Sequence, residues 1–104
     1  MVTTHMYRSR EPLHLEAAEA IAAQGLAFLA QEPARLSRFL SLTGLAPAEV
    51  RARAGAPEFL AAVLEYLLGD ESLLLVFAAS ASVAPETIAP ALALLQEAAR
   101  RPAG

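Results

Sequence analysis

The side chains able to do acid–base or metal chemistry are few in this chain, and they are poorly spaced. Its two histidines, His5 and His14, both lie near the N-terminus, so no serine–histidine–aspartate arrangement is expected. Glu16 and Glu19 follow His14 by two and five residues, whereas only positions three or four apart share a helix face. A metal site at His14 is therefore not predicted.

A second polar group lies further along, where Glu65 and Tyr66 are followed closely by Asp70 and Glu71. Carboxylates beside a tyrosine could form an acid–base site. The alternative, which we prefer, is an exposed helix face that ends at a helix cap, since lone charges usually solvate a surface. The chain also lacks cysteine, Gly-x-Gly-x-x-Gly loops and Walker-type loops. We predict a non-enzymatic protein with no catalytic residue, no metal ligand and no cofactor.

The basic residues offer a different chemistry, the binding of phosphate or carboxylate groups. All eight are arginines. Within residues 33–57 four arginines stand against Glu49 alone, a net charge of +3, whereas residues 58–99 carry six carboxylates and no base, a net charge of −6. One hypothesis is two differently charged solvent faces. The other is self-complementarity, in which the basic unit of one copy meets the acidic unit of another.

Prolines and glycines divide the chain into helical segments. Proline is favoured in the first helical turn, and glycine just past the last. Between these markers, apolar residues recur three and four positions apart, which is the helical period. Gly25 interrupts one apolar face and predicts a close contact between helices. The predicted helices cover approximately residues 12–31, 33–43, 47–54, 57–68, a fifth containing 73–79, and 85–101, with Pro90 kinking the last or splitting it into a turn and a helix.

The run Leu73–Ala79 is apolar on every side. A helix of that kind is typically buried, so we expect it to be the central, most buried helix. A buried strand is the competing interpretation, but the acidic residues before the run and the alanines within it favour a helix. The run is too short for a bilayer, which requires about 20 apolar residues, so no membrane span is expected.

The sequence contains an internal repeat, which we call the echo. The residue pattern of Ala20–Ala52 recurs about 38 residues later in Glu58–Pro90. The paired residues include Leu29/Leu67, Leu36/Leu74, Phe39/Phe77 and Pro47/Pro85. The echo predicts that the chain consists of two similar helical units packed on each other.

The two units differ where Arg35 and Arg38 of the first correspond to Leu73 and Val76 of the second. We therefore expect the helix of the first unit to face water and that of the second to be sunk into the core. If function resides in this asymmetry, the arginine face and the Gly44-Leu45 turn of the first unit are where we expect it.

These features together predict an all-α protein, a compact bundle of five to six short helices with an internal two-unit pseudo-repeat. Residues 1–11 are expected to be a disordered N-terminal arm, and residues 12–104 a single helical domain. The His5-Met6 pair is typical of a cloning scar, with an authentic start at Met1 as the alternative. The polar first residues lack a signal-peptide core, which predicts a cytoplasmic protein. The alanine and arginine content is typical of a GC-rich bacterial genome.

Two parts of the sequence show local resemblances. The turn Thr43–Pro47, followed by Arg51 and Arg53, resembles the helix–hairpin–helix modules that bind DNA phosphates, although the second glycine of such turns is absent. Residues 42–68 resemble the three-helix ubiquitin-associated module. That second resemblance implies that a partner binds at Gly44-Leu45-Ala46.

A broader resemblance covers nearly the whole chain after the arm. The segments that carry it are Arg35–Leu45, Arg51–Ala54, Phe59–Leu64 and Asp70–Ala78. They are similar to a family of small uncharacterised bacterial all-helical proteins, a domain of unknown function. The resemblance implies a helical fold, and it brings no activity, cofactor or catalytic residue with it.

The chain is 56% hydrophobic, more than one small core requires, and exposed apolar surface is typical of interfaces. We expect a protein–protein interaction or scaffolding domain that binds a protein partner or associates with itself, rather than with nucleic acid or a membrane. The alternative is a nucleic-acid-associated module that uses the arginines of residues 35–53. The candidate interaction surface comprises Arg35, Arg38, Gly44, Leu45, Arg51 and Arg53.

Overall fold

The computed structural model describes residues 13–101, and these residues are almost entirely helical. They form α1 (Leu15–Ala30), α2 (Pro33–Thr43), α3 (Pro47–Arg53), α4 (Pro57–Leu68), α5 (Glu71–Ala81) and α6 (Ile88–Arg100), with a 3₁₀ turn at Pro85–Thr87. No strand occurs in this part of the chain. The predicted all-α bundle is confirmed. The predicted arm of residues 1–11 and the predicted helix start at Pro12 lie outside the described residues.

Three helices, α1, α4 and α6, pack against one another and form the centre of the bundle. Each contributes fully buried leucines to the shared core, among them Leu29, Leu64 and Leu95. The shorter α2 and α5 lie on the flanks of this centre, and α3 buries none of its residues fully. The core is therefore built by the three longest helices, and the shorter ones supply the surfaces around it.

Gly25 lies where α1 and α4 come together. A Cβ atom at this position would stand 3.0 Å from Cγ1 of Val63 and 3.1 Å from Cδ1 of Leu67. Both distances are shorter than the optimal separation of two carbon atoms. The absence of a side chain thus lets the two helices approach, which confirms the close contact predicted from the sequence.

The prolines and glycines act largely as predicted. Pro33, Pro47 and Pro57 each occupy the first residue of a helix, where the missing N–H costs nothing. The division near Pro90 falls earlier than the residue itself, since α6 begins at Ile88 and includes Pro90 in its first turn. The first N–H groups of a helix need no helical acceptor, so the proline does not break α6.

α5 is not the central helix, and that prediction was wrong. It lies on the flank against α1 and α4, and only Phe77 and Ala78 are buried. Leu75 keeps 48% of its surface exposed and Val76 keeps 55%. A helix on a flank touches its neighbours along one side only, so the residues of its other side meet water whatever their type.

The related expectation, that α2 faces water while α5 is sunk in the core, was wrong for the same reason. Each helix buries two consecutive residues, Phe39–Leu40 in α2 and Phe77–Ala78 in α5. The two-unit pseudo-repeat itself stays a prediction from the sequence. Among residues 13–101, no single helix has the length and apolar character of a membrane span, and only α5 joined to Pro85–Arg100 across a 107° bend reaches that composition.

Candidate functional site

The first candidate surface is the outward face of α5, which we call the α5 stripe. It consists of Ser72, Leu75, Val76 and Ala79, all exposed. These residues are spaced three and four positions apart, so they share one side of the helix. The opposite side carries the buried Phe77 and Ala78 that attach α5 to the bundle. The stripe therefore presents about half of the surface of Leu75 and of Val76 to solvent.

The N-terminal end of the α5 stripe is acidic. Asp70 caps the helix, and its Oδ1 accepts a hydrogen bond of 3.1 Å from the backbone N–H of Leu73. Glu71 is exposed and lies one helical turn before Leu75. α5 carries no basic residue. The stripe is thus an apolar ridge with negative charge at one end.

The second surface, the turn groove, lies between α2 and the turn that follows it. It has a volume of about 600 Å³. The apolar residues that line it include Leu36, Leu40, Leu45, Ala46 and Pro47. Ser37 and Ser41 line its α2 side, and Arg38 is exposed on the same helix face as Ser41. The groove is concave and mainly apolar, and it has a cation beside it.

Local hydrogen bonds shape the turn groove. Gly44 takes a left-handed conformation with φ +77°, which reverses the chain at the end of α2. Oγ1 of Thr43 donates to the Leu40 carbonyl at 3.0 Å and accepts from the Leu45 N–H at 3.3 Å. The Ala46 N–H donates to Oε1 of Glu49 at 2.9 Å. These bonds stabilise the turn that forms one wall of the groove.

A third surface, the aromatic cleft, lies between the end of α2 and α4. Its floor contains Phe39, whose ring centroid is 5.8 Å from that of Phe59 and 5.4 Å from that of Tyr66. The cleft measures about 470 Å³, and Leu42, Arg53, Glu58 and Glu65 also line it. Leu42 is 72% exposed. The apolar floor would suit an apolar ligand group, and Glu58 and Glu65 would suit a positive charge next to that group.

The predicted candidate residues separate into different places. Gly44 and Leu45 line the turn groove, and Leu45 also lines the aromatic cleft, where it is joined by Arg53. Arg38 and Arg51 are exposed on α2 and α3. Whether the six residues act together as one interaction surface stays a prediction.

Arg35 has internal contacts that the other arginines of the set do not share. Its guanidinium carbon lies 4.9 Å from the centroid of the Phe28 ring, and its Nη2 lies 3.7 Å from Oε1 of Glu32. The side chain is only 27% exposed. A guanidinium stacked on a ring in this way covers apolar surface as well as carrying charge.

The polar residues weighed for acid–base chemistry also have structural contacts. Oε2 of Glu65 accepts a hydrogen bond from Nε2 of Gln96 at 3.3 Å. Asp70 is the cap of α5 described above, and His14 is the exposed residue just before α1, where its side chain makes no cap hydrogen bond. Across residues 13–101, no three His, Cys, Asp or Glu side chains converge in a way that could hold a metal ion.

Sequence reasoning missed the α5 stripe, although a signal for it was present. The outward positions of α2 are Ala34, Ser37, Arg38 and Ser41, all exposed. The echo pairs these with Ser72, Leu75, Val76 and Ala79. If positions related by the echo face the same way, the exposed residues of α2 predict that Leu75 and Val76 point outward.

Comparison with known proteins identifies a family for this chain. The sequence profile of DUF3572, described as a protein of unknown function, matches residues 15–98. No curated protein and no solved structure matches the chain. The family match spans α1 through most of α6 and confirms the predicted resemblance to small helical proteins of unknown function. The chain therefore belongs to the DUF3572 family of proteins of unknown function.

Proposed function

We propose that this protein is a non-enzymatic interaction domain that docks a protein partner on the α5 stripe. The observation that carries the proposal is the exposure of Leu75 and Val76, 48% and 55%, on one side of a single helix. Apolar surface concentrated in this way is typical of protein-binding sites. The function is accordingly one of assembly, with binding energy coming from the burial of these side chains.

The spacing of the stripe supports a helix-in-groove mode of binding. In that mode the anchors of an amphipathic helix recur at positions i, i+3, i+4 and i+7, and the stripe residues have this spacing. Fully burying an exposed apolar side chain of this size contributes about 1.5–3 kcal/mol. Leu75 and Val76 are already about half covered, so each contributes about half of that, and the contacts around them supply the rest of the interface.

The aromatic cleft is a weaker basis for function than the stripe. Phe39 and Phe59 on its floor are already covered by the protein, with 1% and 4% of their surfaces exposed. A ligand there would gain contact mainly with Leu42 and the charged rim. On the stripe, by contrast, two large apolar side chains are available for burial.

Photo-crosslinking tests this proposal. A photoreactive amino acid at Ala79, at the end of the stripe, is introduced into the protein in its native host, and irradiation is expected to give a discrete adduct with a protein. The same substitution in a Leu75→Ser, Val76→Arg variant is expected to give no adduct, because the apolar anchors are gone. Mass spectrometry then identifies the captured chain.

Two controls make the result decisive. The photoreactive residue at Ala20, exposed on α1, reports non-specific capture. Thermal unfolding followed by circular dichroism checks that the double variant folds, and a change of about 0.5 kcal/mol or less per site is expected at these exposed positions. The proposal is contradicted if the double variant still gives an adduct at position 79. It is also contradicted if the protein that retains Leu75 and Val76 gives none.

A nucleic-acid role for Arg35, Arg38, Arg51 and Arg53 stays a prediction, and a gel shift measured at low salt is its direct test. A cytoplasmic location and a bacterial origin also stay predictions. No observation described above favours the nucleic-acid role over the interaction domain.

A further inference from the structure

We infer that the occupant of the α5 stripe is the turn groove of a second copy of this chain, so that the protein associates head to tail. This inference rests on the proposed function and names its partner. The stripe is a convex apolar ridge and the turn groove is a concave apolar surface on another part of the same molecule. Each therefore offers what the other lacks.

Both surfaces combine apolar residues with small ones. Leu75 and Val76 project from one helix, and the groove that would receive them is lined by the partly exposed Leu36 and Leu45 and the exposed Pro47. Ser72 and Ala79 on the stripe, like Ser37 and Ser41 on the groove, are small. Small residues on both sides let two helices approach closely, which increases the contact made by the larger anchors.

Charge complementarity favours a second copy and sets the orientation. Glu71 stands at one end of the stripe, and Arg38 is exposed beside the groove. The opposite charges of Glu71 and Arg38 steer the encounter and disfavour the reversed orientation.

A two-fold pairing of stripe on stripe is less favourable than the head-to-tail pairing. It would bring together two α5 helices, neither of which carries a basic residue. Glu71 would then find no cation on the opposing helix, and the turn groove would remain empty. The head-to-tail pairing fills the groove and places Arg38 opposite Glu71.

The geometry of this pairing has a consequence for assembly. A head-to-tail contact uses different surfaces on the two copies, so each added copy leaves one stripe and one groove free. Such heterologous contacts give rings when the rotation closes and open chains when it does not. The protein is therefore expected to form assemblies larger than a dimer as its concentration rises.

Sedimentation velocity of the purified full chain, from low to high micromolar concentration, tests the inference. The unchanged protein is expected to show a weight-average sedimentation coefficient that rises with concentration. The stripe variant Leu75→Ser, Val76→Arg and the groove variant Arg38→Glu, Ser41→Glu are each expected to stay monomeric. All four residues are exposed, so both variants should fold, which circular dichroism checks.

Mixing the two variants separates the possible geometries. The stripe variant keeps a normal groove and the groove variant keeps a normal stripe, so their mixture is expected to form a one-to-one dimer and nothing larger. A groove variant that self-associates alone would show a stripe-on-stripe contact and overturn the inference. So would a mixture that stays monomeric while the unchanged protein assembles.

A charge exchange provides a second, independent measurement. Glu71→Arg or Arg38→Glu alone is expected to weaken association by roughly twofold to fivefold, as for an exposed ion pair, and the two together should restore it. If the double variant is as weak as the single ones, the two residues do not meet.

The failure of this inference is distinguishable from failure of the proposed function. An unchanged protein that remains monomeric at high micromolar concentration, yet still gives a stripe-dependent adduct with a different protein, overturns the second-copy inference. That result would leave the interaction domain standing.

Discussion

α2 and α5 are helices of equal length that flank the same three-helix centre, yet they present opposite surfaces to water. Each has 11 residues. On α2 the outward residues are Ala34, Ser37, Arg38 and Ser41, whereas on α5 they are Ser72, Leu75, Val76 and Ala79. The inward residues are much more alike. The contrast shows that attachment to the core leaves the outer face of a flanking helix free to vary.

The two helices are attached through the same positions of the echo. Phe39 is buried in α2 and packs against Phe59 and Tyr66. Phe77 is buried in α5, and its ring centroid lies 5.5 Å from that of Phe28. Phe39 and Phe77 are the largest buried side chains of their helices, so each is the main anchor of its helix to the core.

The two helices also end with the same backbone conformation, although different residues occupy the capping positions. α2 ends at Gly44 with φ 77°, and α5 ends at Ser82 with φ 56°, both in the left-handed region. α2 begins after Glu32, which makes no side-chain cap hydrogen bond, and α5 begins after Asp70, which does. The C-terminal cap is therefore more favourable in α2, and the N-terminal cap is more favourable in α5.

The largest effect is expected from removal of the two aromatic anchors. Phe39→Ala and Phe77→Ala should each lower the free energy of unfolding by about 3–5 kcal/mol, because each leaves a cavity in a closely packed site. That loss is a large part of the stability of a small domain. Urea unfolding followed by circular dichroism measures both values.

The control for the anchor comparison is Leu42→Ala on α2. Leu42 is 72% exposed, so its truncation should cost no more than about 0.5 kcal/mol. If Phe77→Ala were as mild as Leu42→Ala while Phe39→Ala was severe, the two helices would not be attached alike. A shared mode of attachment for α2 and α5 would then be disproved.

A smaller effect is expected at the helix C-termini. Gly44→Ala should destabilise the protein by about 1 kcal/mol, because a side chain in the left-handed region strains the backbone. No atom lies within 4 Å of a Cβ built there, so the cost is purely conformational. Ser82→Gly should stabilise by up to about 1 kcal/mol by removing the same strain. Thermal melts of the two variants against the unchanged protein measure the opposite shifts, and shifts of the same sign would contradict the assignment.

The smallest difference is expected at the helix N-termini. Asp70→Ala should cost about 1 kcal/mol, because it removes the acceptor for the Leu73 N–H. Glu32→Ala is the matched control, and its cost should be near zero, since its ion pair with Arg35 is 3.7 Å long and its side chain is 63% exposed. Equal losses at the two positions would mean that the cap hydrogen bond is not what stabilises the start of α5.

Much of the fold was predictable because local signals decide where helices begin and end. Pro33, Pro47 and Pro57 set helix starts by their fixed backbone angle, and Gly44 set an end by its freedom to adopt positive φ. Gly25 predicted a close contact between helices, because glycine destabilises the middle of a helix and is favoured there only when a side chain would not fit. These effects act within a few residues and so can be read directly from the chain.

The candidate site was only partly predictable. Gly44 and Leu45 belong to a real groove, but Leu75 and Val76 were assigned to the core instead of the surface. A helix that is apolar on all sides has the same sequence pattern whether neighbouring helices bury one of its faces or all of them. The number of neighbours that a helix has is a property of the packed bundle, not of its own residues.

By itself, the amino-acid sequence determined the helices, their caps and the apolar character of α5, because helix propensity, capping and hydrophobic period are local. Only the tertiary structure decided which helices form the centre and which face of α5 meets water. α1, α4 and α6 are the three longest helices, and their mutual packing buries the most surface. α5 was left on the flank, with Leu75 and Val76 available to a partner.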